Sequence, residues 1–163
     1  MSDNLYIGVD LGGTNIAAGL VTEEGKLIDK VSIPTDTSIG AKAVIEGLSK
    51  ACELLAEKTG FDRSKLKAIG IGVPGMMNVE TGEVIFCPNI PLQHVNITEK
   101  LREEWNVPVL INNDANCAAL GEAHAGGAKN ASDAIFITLG TGVGGGIIID
   151  KKVYSGFNGA AGE

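Results

Sequence analysis

Cysteine is scarce in this sequence, and long hydrophobic runs are absent. The three cysteines, Cys52, Cys87 and Cys117, are odd in number, widely spaced and in no C-x-x-C pair. This pattern excludes a disulfide framework and a zinc site built from them, so we expect three buried or half-buried thiols. No apolar run approaches the roughly 20 residues of a membrane span, and residues 1–10 lack the pattern of a signal peptide. We therefore expect a cytoplasmic protein with no membrane partner.

Positive charge is also scarce. Lysine and arginine number 13 against 20 aspartates and glutamates, which gives a formal net charge of -7 at pH 7. Because there is no basic cluster, counterion release from a nucleic acid backbone supplies no affinity, and we expect no nucleic acid partner. The 163 residues, 44% of them hydrophobic, suffice for a domain with a proper core.

Glycine, by contrast, is abundant, with 23 residues, and five of them fall within the stretch TLGTGVGGG at 138–146. Gly140, Gly142 and Gly145 form a G-x-G-x-x-G, which is typical of dinucleotide-binding folds when the loop opens a helix. Here three isoleucines follow at 147–149, and they predict a strand instead. We therefore disfavour a nicotinamide-dependent oxidoreductase. A helix after Gly145 would restore that hypothesis, and a strand would exclude it.

Hydrophobic periodicity predicts alternating strands and helices along the chain. Turn residues and glycines mark the boundaries between them. The predicted elements are a three-strand meander over 5–10, 16–21 and 27–34, an amphipathic helix over 44–55 that ends at Gly60, a strand over 66–73, a hairpin over 76–86, a helix after Asn96, a buried strand over 107–111, an alanine-rich helix from Asp114 to Gly126, and a strand, turn and strand over 134–149.

Two stretches of the chain, 6–21 and 134–149, share one pattern of strand, glycine-rich turn and strand, which indicates an internal repeat. Because glycine has no side chain, the backbone N–H groups of these turns can approach phosphate oxygens, and Thr14 and Thr141 add hydroxyl donors. Asp10, at the end of the first strand, would hold a hydrated Mg²⁺ through water rather than touch phosphate. The alternative is that both turns are tight hairpins without a ligand.

Asp114 is the candidate catalytic residue. A kinase that acts on a hydroxyl needs a carboxylate beside the attacking oxygen. Asp114 follows a predicted strand, where parallel sheets place their ligand crevice, and it begins a helix, whose dipole favours the ionised form. From the sequence alone, a simple role as the cap of that helix is the stronger explanation.

Five motifs in order resemble the ROK family of bacterial sugar kinases, most closely its glucokinases. The resemblance reverses the preference at Asp114 in favour of catalysis. It implies an α/β protein of the actin-like ATPase fold, in which two lobes with ribonuclease-H-like cores, built on a mixed sheet with flanking helices, enclose a cleft. The first lobe would cover residues 1–125, and 126–163 would form the opening hairpin of a truncated second lobe. The motifs are D-L-G-G-T-N at 10–15, G-V-P-G at 72–75, N-N-D-A-N at 112–116, L-G-T-G-V-G-G-G at 139–146 and G-A-A-G-E at 159–163.

The resemblance also implies the roles of individual residues. Asp114 would take the proton of the sugar 6-hydroxyl as that hydroxyl attacks the γ-phosphate of ATP, with Mg²⁺ near Asp10. Gly75 marks either a backbone approach to the sugar or only the end of a strand. The residues implied to bind sugar are Gly75, Asn89, Asn113, Asp114 and Glu163. The residues implied to bind the nucleotide are Asp10, Gly12, Gly13, Thr14, Asn15, Gly140, Thr141 and Gly142.

The expected function is phosphorylation of glucose or a related hexose at its 6-hydroxyl with ATP and Mg²⁺. The adenosine pocket and most second-lobe sugar ligands are missing from this chain, so we expect it to be inactive alone. A structural zinc would lie only in the missing second lobe, and we expect a homodimer at full length. Which hexose is used, and whether polyphosphate replaces ATP, stays open.

Two other functions fit the same family or fold. A sugar-sensing transcriptional regulator of the family carries a helix-turn-helix segment before the first motif, whereas only four residues precede Leu5 here. We therefore prefer the kinase. An Hsp70-like ATPase shares the fold, but the motifs at 112–116 and 159–163 fit sugar kinases better.

Overall fold

The computed structural model describes residues 3–139, 143–157, 159 and 161–162. Within this part the chain alternates strands and helices, as its periodicity predicts, and a short 3-10 helix lies at Arg63–Lys65. The strands are β1 (Leu5–Leu11), β2 (Asn15–Thr22), β3 (Leu27–Pro34), β4 (Leu66–Val73), β5 (Met76–Asn78), β6 (Glu83–Phe86), β7 (Gln93–Asn96), β8 (Val109–Asn113), β9 (Ala134–Leu139), β10 (Val143–Ile149) and β11 (Lys152–Val153). The helices are α1 (Ala41–Thr59), α2 (Glu99–Trp105) and α3 (Asp114–His124).

A five-stranded mixed sheet organises the first part of the chain, in the order β3-β2-β1-β4-β8. The antiparallel pairs β1–β2 and β2–β3 form the predicted meander. The pairs β1–β4 and β4–β8 are parallel, so the carboxyl ends of β1, β4 and β8 meet at one edge of the sheet. The expectation of a mixed sheet with flanking helices is confirmed.

The main core lies between this sheet and α1. Side chains alternate along β1, so Ile7, Val9 and Leu11 point into the core while their neighbours face the other side. The apolar stripe of α1 packs against β2 and β3. The helix ends where the sequence predicts, because Gly60 adopts the left-handed conformation and its N–H bonds to the carbonyl of Ala56.

The structure differs from the predictions at two strands. The strand predicted as buried over 107–111 is β8, an edge strand in which Val109 and Ile111 are buried while Leu110 is 58% exposed. An apolar run does not reveal whether both of its faces are covered, which explains the error. The polar strand β7 has no apolar alternation and was not predicted. It forms because it pairs with β6.

The second sheet is antiparallel, in the order β11-β10-β9. β10 continues as a strand from Val143 through Gly145 to Ile149, so no helix opens there and the dinucleotide-binding hypothesis is wrong. α3 packs against this sheet, where Ala119 and Ala123 form a second cluster with Ile148. The lobe boundary at residue 125 stays a prediction. That boundary assigns α3 to the first lobe, yet α3 contacts the second sheet.

Across the described residues, none of the helices combines the length and the apolar character that a membrane span requires.

Candidate active site

A cleft of about 770 Å³ lies at the edge where β1 and β4 end, next to the start of α3 and the hairpin β9–β10. Its wall includes Asp10 from β1, Gly75 after β4, Asp114 from α3, and Thr138 and Gly144 from the hairpin. The volume falls within the roughly 300–1,000 Å³ that is usual for small-molecule sites. Asp114 and the strands that lead into both glycine bends therefore border the same cleft. The sugar kinase hypothesis requires this arrangement.

The junction between β8 and α3 decides how Asp114 is presented. Asn113 is the N-cap of α3, because its Oδ1 accepts hydrogen bonds from the N–H groups of Ala115 at 2.9 Å and Asn116 at 3.2 Å. Asp114 is the first helical residue and is exposed in the cleft. Its Oδ1 also accepts from the N–H of Ala115, at 2.8 Å. Capping is thus carried by Asn113, whose side chain accepts from two helix N–H groups, while the Asp114 side chain also borders the cleft.

Asp10 and Asp114 lie close enough to interact electrostatically. Burial, and secondarily the charge of Asp114, raise the pKa of the Asp10 carboxyl above its usual value. Two neighbouring carboxylates repel each other, and a divalent cation held near Asp10 would reduce that repulsion. Mg²⁺ is usually held by one or two carboxylates, several waters and substrate phosphates. The donor set at Asp10 fits the predicted Mg²⁺ role, and that role stays a prediction.

The first glycine bend, residues 12–15, is closed by a hydrogen bond from the N–H of Gly12 to the carbonyl of Asn15 at 2.9 Å. A Cβ on Gly12 would lie 3.0 Å from that carbonyl oxygen, a tight contact that favours glycine at this position of the bend. A Cβ on Gly13 would lie 3.7 Å from the Cβ of Asn89, an ordinary contact. In the described part of the chain, the N–H groups of Gly13 and Thr14 donate no backbone hydrogen bond. Packing therefore explains Gly12, and it leaves Gly13 accessible to a ligand.

The second glycine bend lies mostly outside the described residues. Gly140, Thr141 and Gly142 fall there, as does Glu163. Of the glycines that follow in β10, Gly144 lines the cleft, whereas Gly146 is buried. A Cβ on Gly146 would lie 2.6 Å from the Cβ of Ala119. At this position of the glycine-rich stretch, glycine is therefore explained by the close packing of β10 on α3.

The predicted sugar-binding residues of the first lobe are distributed around the cleft. Gly75 lines it, but its φ of 100° and the clash that a Cβ would make with the Phe86 carbonyl already require glycine. Asn89 lies beside the first bend, where its Cβ would be 3.7 Å from a Cβ added to Gly13, and its neighbour Pro88 lines the cleft. The sugar-binding roles of Gly75, Asn89 and Asn113 stay predictions.

Cys117 was not recognised as a cleft residue. It was predicted to be buried or half-buried, yet its side chain is exposed and lines the cleft. Surrounding protein atoms still desolvate the thiol, and this effect, followed by the charges of Asp114 and Asp10, raises the pKa of Cys117 to about 11. Cys117 follows Asp114 by three positions on a helix, a spacing that places both on one face and could have revealed it.

The structural neighbours, which are ROK sugar kinases, share the mixed sheet and define the class of this protein, which has the actin-like ATPase fold. Within that class, the chain belongs to the ROK family, whose sequence profile matches residues 6–163.

Known relatives include both enzymes and regulators. A glucokinase of Halalkalibacterium halodurans is 40% identical over 163 residues, which are 100% of this chain and 49% of the relative. The crystal structure of a ROK family glucokinase from Streptomyces griseus in complex with glucose and AMPPNP has a TM-score of 0.87 and 40% identity, over 98% of this chain and 49% of that chain. A xylose repressor of Caldicellulosiruptor bescii is 35% identical over 157 residues, 96% of this chain and 39% of the relative. The chain thus spans about half the length of the glucokinases it matches.

Proposed function

We propose that the full-length protein is a sugar kinase that transfers the γ-phosphate of ATP to the 6-hydroxyl of glucose or a related hexose. The observation that carries the proposal is the single cleft that holds Asp114 and Asp10 next to the strands of both glycine hairpins. The similarity to glucokinases, one of them crystallised with glucose and AMPPNP, supports the choice of substrates.

Asp114 would act as the general base. An exposed carboxylate on the first turn of a helix accepts the proton of the sugar hydroxyl while that oxygen attacks the phosphoryl group in line. Asn113 carries the helix cap, and the carboxylate of Asp114, although its Oδ1 accepts from the N–H of Ala115, is exposed in the cleft. Phosphoryl transfer depends mainly on positioning and on charge neutralisation, so one well-placed carboxylate and a phosphate-binding backbone are the groups this lobe must supply.

The nucleotide would bind with its phosphates at the first glycine bend, where the N–H groups of Gly13 and Thr14 donate no backbone hydrogen bond within the described residues. Asp10 would hold Mg²⁺ through water, and that ion would neutralise charge on the phosphates. Asn113 and Glu163 would contact sugar hydroxyls, and Gly140, Thr141 and Gly142 would complete the phosphate site from the second hairpin.

A sugar-sensing regulator without kinase activity is the second candidate. The similarity to a xylose repressor supports it, because the match to that repressor covers 96% of this chain. Such a protein would bind a sugar in the same cleft but would transfer no phosphate.

An assay of the full-length protein distinguishes these candidates. It would test glucose, mannose, fructose and N-acetylhexosamines with ATP and Mg²⁺, and it would include polyphosphate as the alternative donor. A kinase converts at least one hexose to its 6-phosphate, whereas a regulator binds sugar without turnover. The 163-residue chain assayed beside it should give no measurable glucose phosphorylation, and turnover near the full-length rate would refute that expectation.

A further inference from the structure

Thr35 belongs to none of the five motifs, but it contacts the first glycine bend. It follows β3 directly, and its hydroxyl donates to the carbonyl of Gly12 at 2.7 Å. Its backbone N–H donates to the carbonyl of Thr14 at 2.9 Å. One residue thus holds two of the carbonyl groups of the bend, although 23 positions separate it from Gly12.

These two hydrogen bonds fix the orientation of the bend's peptide groups. A phosphate site needs N–H groups directed at the ligand and carbonyl oxygens directed away from it, because carbonyl oxygens repel anions. In a trans peptide the carbonyl of Gly12 and the N–H of Gly13 point in opposite directions, and the described chain contains no cis peptide. When Thr35 holds the Gly12 carbonyl on its own side, the Gly13 N–H is directed to the opposite side.

We propose that Thr35 is a positioning residue for the nucleotide phosphates. Its hydroxyl holds the Gly12 carbonyl and thereby presents the N–H of Gly13 to a phosphate oxygen, while its N–H fixes the Thr14 carbonyl at the other end of the bend. The inference rests on the proposed function, since it assigns a binding partner to the same bend. A purely structural alternative is that Thr35 only fastens the end of β3 to the hairpin.

The test replaces the Thr35 hydroxyl in the full-length protein. Thr35→Val keeps the shape of the side chain without the hydroxyl, and Thr35→Ser keeps the hydroxyl. Thr59→Val is the matched control, because the Thr59 hydroxyl is also part-buried and donates to a backbone carbonyl, that of Leu55 at 2.8 Å, on α1. Each variant is assayed for kcat, for the KM values of ATP and of the hexose, and for Tm.

We expect Thr35→Val to raise the KM for ATP by about 3- to 10-fold, the loss that one hydrogen bond's net contribution predicts. The KM for the hexose should stay within twofold of wild type. Thr35→Ser should restore the KM for ATP, and Thr59→Val should lower Tm without changing either KM. The inference is wrong if Thr35→Val leaves the KM for ATP unchanged, or if it raises both KM values equally.

A binding measurement separates this inference from the proposed function. Titration of wild type and Thr35→Val with AMPPNP and Mg²⁺ reports nucleotide affinity without turnover. If wild type binds AMPPNP but phosphorylates no hexose, the kinase proposal fails, while weaker binding by Thr35→Val still supports the role of Thr35. If wild type binds no nucleotide, both the inference and the proposed function are wrong.

Discussion

The packing of β10 on α3 gives a quantitative prediction for Gly146→Ala. The added Cβ would lie 2.6 Å from the Cβ of Ala119 and 3.0 Å from the carbonyl oxygen of Ala115, both on α3. Overpacking of this kind costs about 1–3 kcal/mol, and replacing a glycine within a strand returns about 0.5–1 kcal/mol, so the net loss lies between about 0 and 2.5 kcal/mol. For a chain of this size, that loss lowers Tm by up to about 10 °C.

Two further variants make the prediction specific. Gly8→Ala is the matched control, because Gly8 also lies within a strand but nothing would lie within 4 Å of its Cβ. We expect Gly8→Ala to leave Tm unchanged or to raise it slightly. Ala119→Gly removes the nearest obstacle to a side chain at Gly146, so the double variant should be less destabilised than the sum of the single variants. Thermal and chemical denaturation provide the four free energies of unfolding.

Two results would refute this reasoning. One is a Tm for Gly146→Ala that matches that of Gly8→Ala. The other is strict additivity of Gly146→Ala and Ala119→Gly in the double-mutant cycle.

Two other predictions concern the cleft. Burial and the charge of Asp114 raise the pKa of Asp10 in the folded state. The protonated Asp10 side chain therefore stabilises the fold at low pH, and this contribution is lost as the pH rises above 3.8, the pKa of Asp10 in the unfolded chain. Asp10→Asn should therefore raise Tm at pH 7 in the absence of divalent cations and should have no effect below about pH 3.8, and an equal gain at both pH values would contradict the cause. The pKa of Cys117, about 11, predicts slow alkylation by iodoacetamide at pH 7, with a rate at Cys117 that rises about tenfold per pH unit until near pH 11. Peptide mapping of the labelled protein measures this rate, and a plateau below pH 9 would show that the thiol ionises more easily than its surroundings imply.

The features that the sequence predicts well are local. The stripe of α1 and its end at Gly60 follow from periodicity and from the left-handed conformation that glycine adopts readily. The strand after Gly145 follows from three consecutive β-branched residues. Both depend on neighbours within a few positions, so no knowledge of the tertiary structure is needed to infer them.

Features that depend on contacts between distant segments were not predictable. The hydrogen bond from Thr35 to Gly12 joins residues 23 positions apart, and the sequence contains no sign of it. The close approach of Gly146 to Ala119 likewise requires the packing of β10 on α3. At the start of α3, Asn113 and Asp114 are both good capping residues. A helix boundary is uncertain by one or two positions, so the sequence could not decide which of them caps.

Replacement of the Asp114 carboxylate by an amide tests the proposed chemistry most directly. Asp114→Asn in the full-length protein keeps the size and shape of the side chain but cannot accept the proton of the sugar hydroxyl. We predict that kcat for hexose phosphorylation falls by at least about 100-fold, the lower end for loss of a general base, while Tm and nucleotide binding remain close to those of wild type. A kcat within tenfold of wild type would contradict the assignment of Asp114 as the proton acceptor.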